Sequence, residues 1–204
     1  MPKISEERRA ERREQILAAA RSCFAEHGYE GANVARLEDA TGLSRGAIFN
    51  YFASKEELFI ELAVEDAREL SDLWVREGLE AVVQHVLALD PAWLGVYLEL
   101  IRRVRTDRDF RDRVEERQKD VVPVNRARIE EAQRSGEFRD DLDPREIGAF
   151  VNLVLNGLAL QRASGEDPPD AELVLGLLQD AVGGPATRAA ARPDIRARTP
   201  ARPR

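Results

Sequence analysis

A chain of 204 residues with 43% hydrophobic and 34% charged residues is long enough to bury a core and has the make-up of an ordinary water-soluble protein. Its single cysteine, Cys23, excludes disulfides and cysteine-based metal sites within one chain. No apolar run approaches the length that spans a bilayer, and the first residues are charged from Lys3 onward, unlike a signal peptide. A cytoplasmic protein with no membrane partner is therefore expected.

The net charge of −7 is unevenly distributed. Residues 1–55 hold nine Lys or Arg against eight Asp or Glu, residues 56–183 sixteen against twenty-nine, and residues 184–204 six against one. Phosphates would repel the middle segment, which carries −13, so any nucleic acid must meet the nearly neutral first segment. A two-part molecule follows.

Residues 1 to about 6 read as a loose arm, and Lys3, Arg8, Arg9, Arg12 and Arg13 crowd the entry to the first helix. They either touch backbone phosphates or form a solvated face paired with Glu6, Glu7, Glu11 and Glu14. Ile16, Leu17, Ala20, Cys23 and Phe24 give this helix an apolar stripe to His27, and Gly28 ends it.

The most informative stretch is NVARLEDATGLSRGAIFNYFASK, residues 33–55. Asn33 can cap a short helix carrying Val34 and Leu37 inward, and Gly42 supplies the left-handed residue that stops it. Ser44 caps a second helix in which Ile48 and Phe52 face the core while Arg45, Gly46, Phe49 and Asn50 face out. This is a helix-turn-helix. Gly46 and Ala47 are small enough to let the second helix approach base edges in a major groove, Arg45 can bond guanine or phosphate, and Asn50, Tyr51 and Lys55 are expected on phosphates.

Ser54 and Glu57 suggest a capping box opening a long helix to about Gly78, the only covalent connection between the two parts. A fifth helix is expected over 79–89 and a sixth from Trp93 to Val104. A charged seventh beyond Asp107 is kinked or divided by Pro123; its sparse apolar positions are Phe110, Val114, Val121, Val122 and Ile129. Residues 147–160, IGAFVNLVLNGLAL, are apolar on nearly every face, and the last helix carries Leu173, Val174, Leu177, Leu178 and Val182. Such helices need burial on more than one side, which a second copy of the chain is expected to provide as a four-helix dimer interface, the alternative being a monomeric core. From Gly183 onward the Pro, Ala and Arg repeats lack apolar periodicity, and disorder is expected.

The whole is read as all-α with about nine helices. It divides into an N-terminal three-helix helix-turn-helix domain (1–53), a C-terminal helical effector-binding and dimerisation domain (54–183) and a disordered tail (184–204). REQILAAARSCFAEHGYEGANV and GLSRGAIFNYFASKEELF resemble the first helix, recognition helix and linker of the TetR family of bacterial transcriptional repressors. That family often has Thr where Asn33 stands and His where Asn50 stands, which bears on base preference. The GAIF, SKEELF and ELAVEDA runs are most similar to its aconitase-repressing branch. The resemblance implies a homodimer on a double-stranded palindromic operator and a small-molecule effector pocket among helices four to eight.

Polar residues on the otherwise apolar faces there are Glu99, Arg102, Arg103, Arg126, Asn152 and Asn156. Clustered and buried, they would suit an anionic ligand; alternatively the arginines are solvated and the asparagines bond across the dimer. The resemblance implies a carboxylate, with a divalent cation as an option, and no resident cofactor. Gly42-Leu43-Ser44-Arg45-Gly46 fits the G-x-S-x-G pattern of hydrolases. A helix precedes this serine where that elbow needs a strand, and the only histidines are His27 and His85, so no enzyme is expected. The alternatives kept open are a helical scaffold without sequence-specific DNA binding and an activator of the same family.

Overall fold

The computed structural model describes residues 6–190, and all ten of their named elements are α-helices. They are α1 (Glu6–Gly31), α2 (Val34–Thr41), α3 (Arg45–Phe49), α4 (Lys55–Ala88), α5 (Pro91–Thr106), α6 (Arg108–Arg117), α7 (Val121–Arg134), α8 (Pro144–Ala163), α9 (Ala171–Val182) and α10 (Pro185–Ala190).

Two of the longest helices are interrupted by glycine. Gly28 in α1 (φ 68°, ψ 172°) and Gly78 in α4 (φ 84°, ψ −172°) occupy backbone conformations essentially reserved for residues without a Cβ. The breaks expected at these two positions are therefore present. Asp90 caps α5, with Pro91 in its first turn. Asp143 and Glu146 form a reciprocal capping box on α8.

Two clusters of buried side chains hold the chain together. The first joins Ile16, Phe24, Leu37 and Ile48 to Phe59 and Leu62 of α4, Trp93 and Leu100 of α5 and Phe110 of α6. The second comprises Trp74, Val83, Leu94, Ile129, Ile147, Leu155 and Leu178. The helix-turn-helix part is thus completed by α4, α5 and α6, and the first core runs continuously across residue 53. A rigid seat for the recognition elements follows from this sharing.

Several sequence expectations need correction. Ser54 accepts from the Glu57 N–H at 3.1 Å, but no reciprocal bond completes the box; the Glu57 carboxylate instead pairs with Arg113 and Arg117. The division of the charged seventh helix falls at residues 118–120, before Pro123. Pro123 sits in the first turn of α7, where the missing N–H costs no helical bond. Val122 is not a core position, being 71% exposed. The start of the expected disordered tail is folded: residues 185–190 form α10, the Gly184 N–H donates to the Glu137 carbonyl at 2.8 Å, and the Thr187 hydroxyl donates to the same carbonyl at 2.6 Å. Residues 1–5 of the expected arm and 191–204 of the tail lie outside the described residues.

Candidate nucleic-acid interface

The helix-turn-helix is fixed by four short-range devices. Asn33 Oδ1 accepts from the Arg36 N–H at 3.1 Å, and Gly42 (φ 65°) ends α2. Ser44 Oγ accepts from the Ala47 N–H at 3.4 Å, and the Glu38 carboxylate accepts from the Arg45 N–H at 2.7 Å. Glu38 thereby ties the end of α2 to the start of α3 and satisfies a donor left free by helix geometry. A carboxylate seven residues ahead of the recognition helix carried no signal in the sequence. Ile48 and Phe52 are buried as expected, anchoring the inner side.

On the outer side Arg45, Gly46 and Asn50 are exposed, and Ala47 is half-buried. A Cβ placed at Gly46 meets nothing within 4 Å, so the α3 surface is open at this point. Phe49 departs from the expected outward position: it is half-buried against the first core, with the Arg45 guanidinium 5.8 Å from its ring centroid. Tyr51 is also half-buried, with Arg9 5.7 Å from its ring centroid.

Lys55 is the clearest correction within this group. Its ammonium donates to the Tyr29 carbonyl at 2.7 Å and lies 4.3 Å from the Tyr29 ring centroid, so it faces α1 and not an approaching phosphate. Burial pulls its pKa below the ordinary lysine value, with Glu30 opposing and Arg103 reinforcing the shift.

The six residues expected to line an effector pocket are not brought together. The Glu99 carboxylate accepts from the Tyr29 N–H at 2.8 Å. Arg103 bonds Glu56 and lies between the Tyr29 and Phe110 rings, 4.9 and 4.2 Å from their centroids. Both belong to the junction between α1 and α5. Arg102 is exposed, and Arg126 pairs with Glu130 at 2.8 Å on the α7 surface. Asn152 is exposed, whereas Asn156 accepts from the Tyr97 hydroxyl at 3.2 Å. Arg103 has found a glutamate on another helix, a pairing that spacing cannot reveal, whereas Arg126 pairs within its own helix.

That junction carries a dense ionic lattice. The buried Glu61 carboxylate meets Arg13 and Arg117, Glu57 meets Arg113 and Arg117, and Glu56 meets Arg103 and Arg113. Arg21 bonds Asp66, whose other oxygen accepts from the Trp93 indole at 2.7 Å. The first two turns of α4 are thus gripped from α1, α5 and α6 at once. Beside them a cavity of about 10 Å³, bounded by Phe59, Asp66, Trp93 and Tyr97, has room for a water and no more. Among the described residues no group of three or more His, Cys, Asp or Glu is placed to hold a metal ion. No single described helix is long and apolar enough to cross a membrane.

At the other end α8 and α9 leave large apolar side chains uncovered. Leu153 is 70%, Leu173 56% and Leu177 61% exposed. Leu177, with Phe150 and Leu160, borders a groove floored by Leu158, Val174 and Leu178.

Comparison with known proteins agrees with this layout. Residues 16–62 match the family described as bacterial regulatory proteins, tetR family, and residues 75–184 match the C-terminal region of BetI-type transcriptional repressors. The HTH-type transcriptional repressor Rv1474c of Mycobacterium tuberculosis is 42% identical over 184 residues, spanning 89% of this chain and 98% of that relative. The HTH-type transcriptional repressor AcnR of Corynebacterium diphtheriae is 40% identical over 184 residues, spanning 89% and 97%. Among solved structures, Salmonella enterica GusR superposes with a TM-score of 0.67 at 22% identity, covering 88% of this chain and 98% of GusR, which bears on the fold alone. With a capped helix-turn-helix seated on a helical body, and with relatives of this identity along nearly its whole length, the chain belongs to the TetR family of helix-turn-helix transcriptional regulators.

Proposed function

We propose that this protein is a transcriptional repressor that binds a palindromic operator as a homodimer, α3 of each subunit entering one of two successive major grooves. The observation that carries the reading is the outer surface of α3. Arg45, Gly46 and Asn50 are exposed on an element whose position is fixed by Glu38, Ser44 and the buried Ile48. Repression, as opposed to activation, is favoured by the names of the relatives. The exposed leucines of α8 and α9 favour pairing through those helices, because apolar area of this kind is covered by a second subunit at modest entropic expense. The functional division into a reading head and an effector-responsive body is part of the same proposal.

A small carboxylate-bearing effector fits the junction better than a preformed pocket. Arg103, Arg113 and Arg117 are already matched by Glu56, Glu57 and Glu61, so an anion acts there only by displacing a carboxylate of α4. Displacement frees the first half of α4 to tilt, and Gly78 limits how far the tilt propagates. The effector need prefer the tilted state by only a few kcal/mol, and bound operator must weaken effector binding by the same factor.

The test is a gel-shift titration with duplexes recovered from genomic DNA by binding selection. The Arg45→Ala, Tyr51→Ala double variant should lose the shift while keeping the parent's mass in solution. A shift equal to the parent's would reject the assignment of α3 as the reading element.

A further inference from the structure

The cations of the N-terminal part fall into two groups. Arg13 is held by Glu61 and Glu65, Arg21 by Asp66, and Lys55 is turned onto the Tyr29 carbonyl. Arg9 belongs to the other group. Among the described residues it has no carboxylate within ion-pair distance and no hydrogen-bond acceptor; its guanidinium rests over the Tyr51 ring, 5.7 Å from the centroid. Such a contact restrains the side chain without cancelling its charge.

The position of the pair matters as much as its charge. Arg9 lies in the exposed first turns of α1, and Tyr51 directly follows Asn50, just past the end of α3. The Tyr51 ring is anchored on the first core, while its hydroxyl has no hydrogen-bond partner among the described residues. A guanidinium over a phenol ring, both without a bonded partner among the described residues, leaves donors of both side chains free for phosphate oxygens.

We infer that Arg9 and Tyr51 form a clamp for the sugar–phosphate backbone beside each half-site, extending the DNA footprint from α3 onto the start of α1. This rests on the DNA-binding reading above. It also gives Lys55's expected role to a residue 46 positions earlier in the chain. The clamp fixes orientation and carries no base preference, since phosphate contacts do not read sequence.

The experiment measures operator affinity of the full chain by fluorescence anisotropy across a salt series, using a duplex recovered in the selection above. One phosphate contact contributes about 0.9 to the slope of log K against log salt, so removing it from both subunits lowers the slope by about 1.8. Arg9→Ala should therefore lose much of its deficit as salt rises, its ratio to the parent changing about twelve-fold between roughly 50 and 200 mM. Arg9→Lys should keep the parent's slope, as should Arg76→Ala, which removes an exposed charge from α4 far along the chain. Circular dichroism identical to the parent's excludes misfolding of Arg9→Ala. A parent-like slope in Arg9→Ala, with a single Arg45→Ala variant still impaired in operator binding, would overturn the clamp and leave the repressor reading standing. A parent that binds neither the selected duplex nor random DNA would overturn both.

Discussion

The close approach of Gly28 to Glu99 supports a quantitative prediction. Gly28 has φ 68° and ψ 172°, and a Cβ built on it falls 2.9 Å from Glu99 Oε1. The other oxygen of that carboxylate accepts from the Tyr29 N–H at 2.8 Å. Gly28→Ala therefore does two things: it imposes a backbone conformation costing about 1–3 kcal/mol, and it pushes Glu99 off the Tyr29 N–H. A hydrogen bond to a charged group contributes about 1.5–3 kcal/mol, and breaking it leaves a partly buried donor. The single variant should lose roughly 2.5–6 kcal/mol, the sum of those two ranges.

Glu99→Ala alone should lose about 1.5–3 kcal/mol, because only the bond is removed. In the double variant the obstacle is already gone, so Gly28→Ala adds only its backbone cost. Urea unfolding of all four proteins at one protomer concentration gives the coupling directly, and about 1.5–3 kcal/mol of non-additivity is expected. Costs that add within about 0.5 kcal/mol would show the carboxylate swinging aside freely, and the junction would not be pinned as described.

Two further outcomes follow from single residues. Gly46→Ala meets nothing within 4 Å and replaces a helical glycine, so it should stabilise the fold by about 0.5–1 kcal/mol. Yet it should weaken operator binding by about 1–3 kcal/mol per disturbed half-site contact, measured by anisotropy beside a thermal melt; unchanged affinity would mean α3 does not approach base edges closely. Cys23 is buried, and desolvation raises its thiol pKa above the ordinary 9.0, partly offset by Arg36. A raised folded-state value contributes stability that is complete below 9.0 and is lost as pH rises through the folded value. Urea midpoints of the parent should thus fall more than those of Cys23→Ala between about pH 8 and pH 10; parallel curves would refute the burial effect.

What was legible in the sequence was local. Asn33, Gly42 and Ser44 announce the helix-turn-helix because caps act over three or four residues, and Gly28 and Gly78 mark breaks for the same reason. The apolar periodicity of α8 and α9 likewise pointed to faces needing cover, and Leu153 and Leu177 stand uncovered. What failed was long-range. Lys55 has the sequence position of a phosphate ligand, but its actual partner, the Tyr29 carbonyl, lies 26 residues away. Glu99 and Arg103 looked like pocket residues because polar groups on an apolar face have the same pattern whether they meet a ligand or another helix. Their partners, Tyr29 and Glu56, are 70 and 47 positions distant. Arg9 shows the same limit from the other side: nothing in its run of neighbours distinguishes it from Arg13, yet one rests on Tyr51 and the other is bound by Glu61.

A hydroxyl-radical footprint of the parent on its selected operator decides whether two α3 helices read one duplex. Two protected patches related by dyad symmetry and spaced by one helical turn, about 34–36 Å between half-site centres, are predicted. A single protected patch, or uniform protection along the duplex, would contradict it.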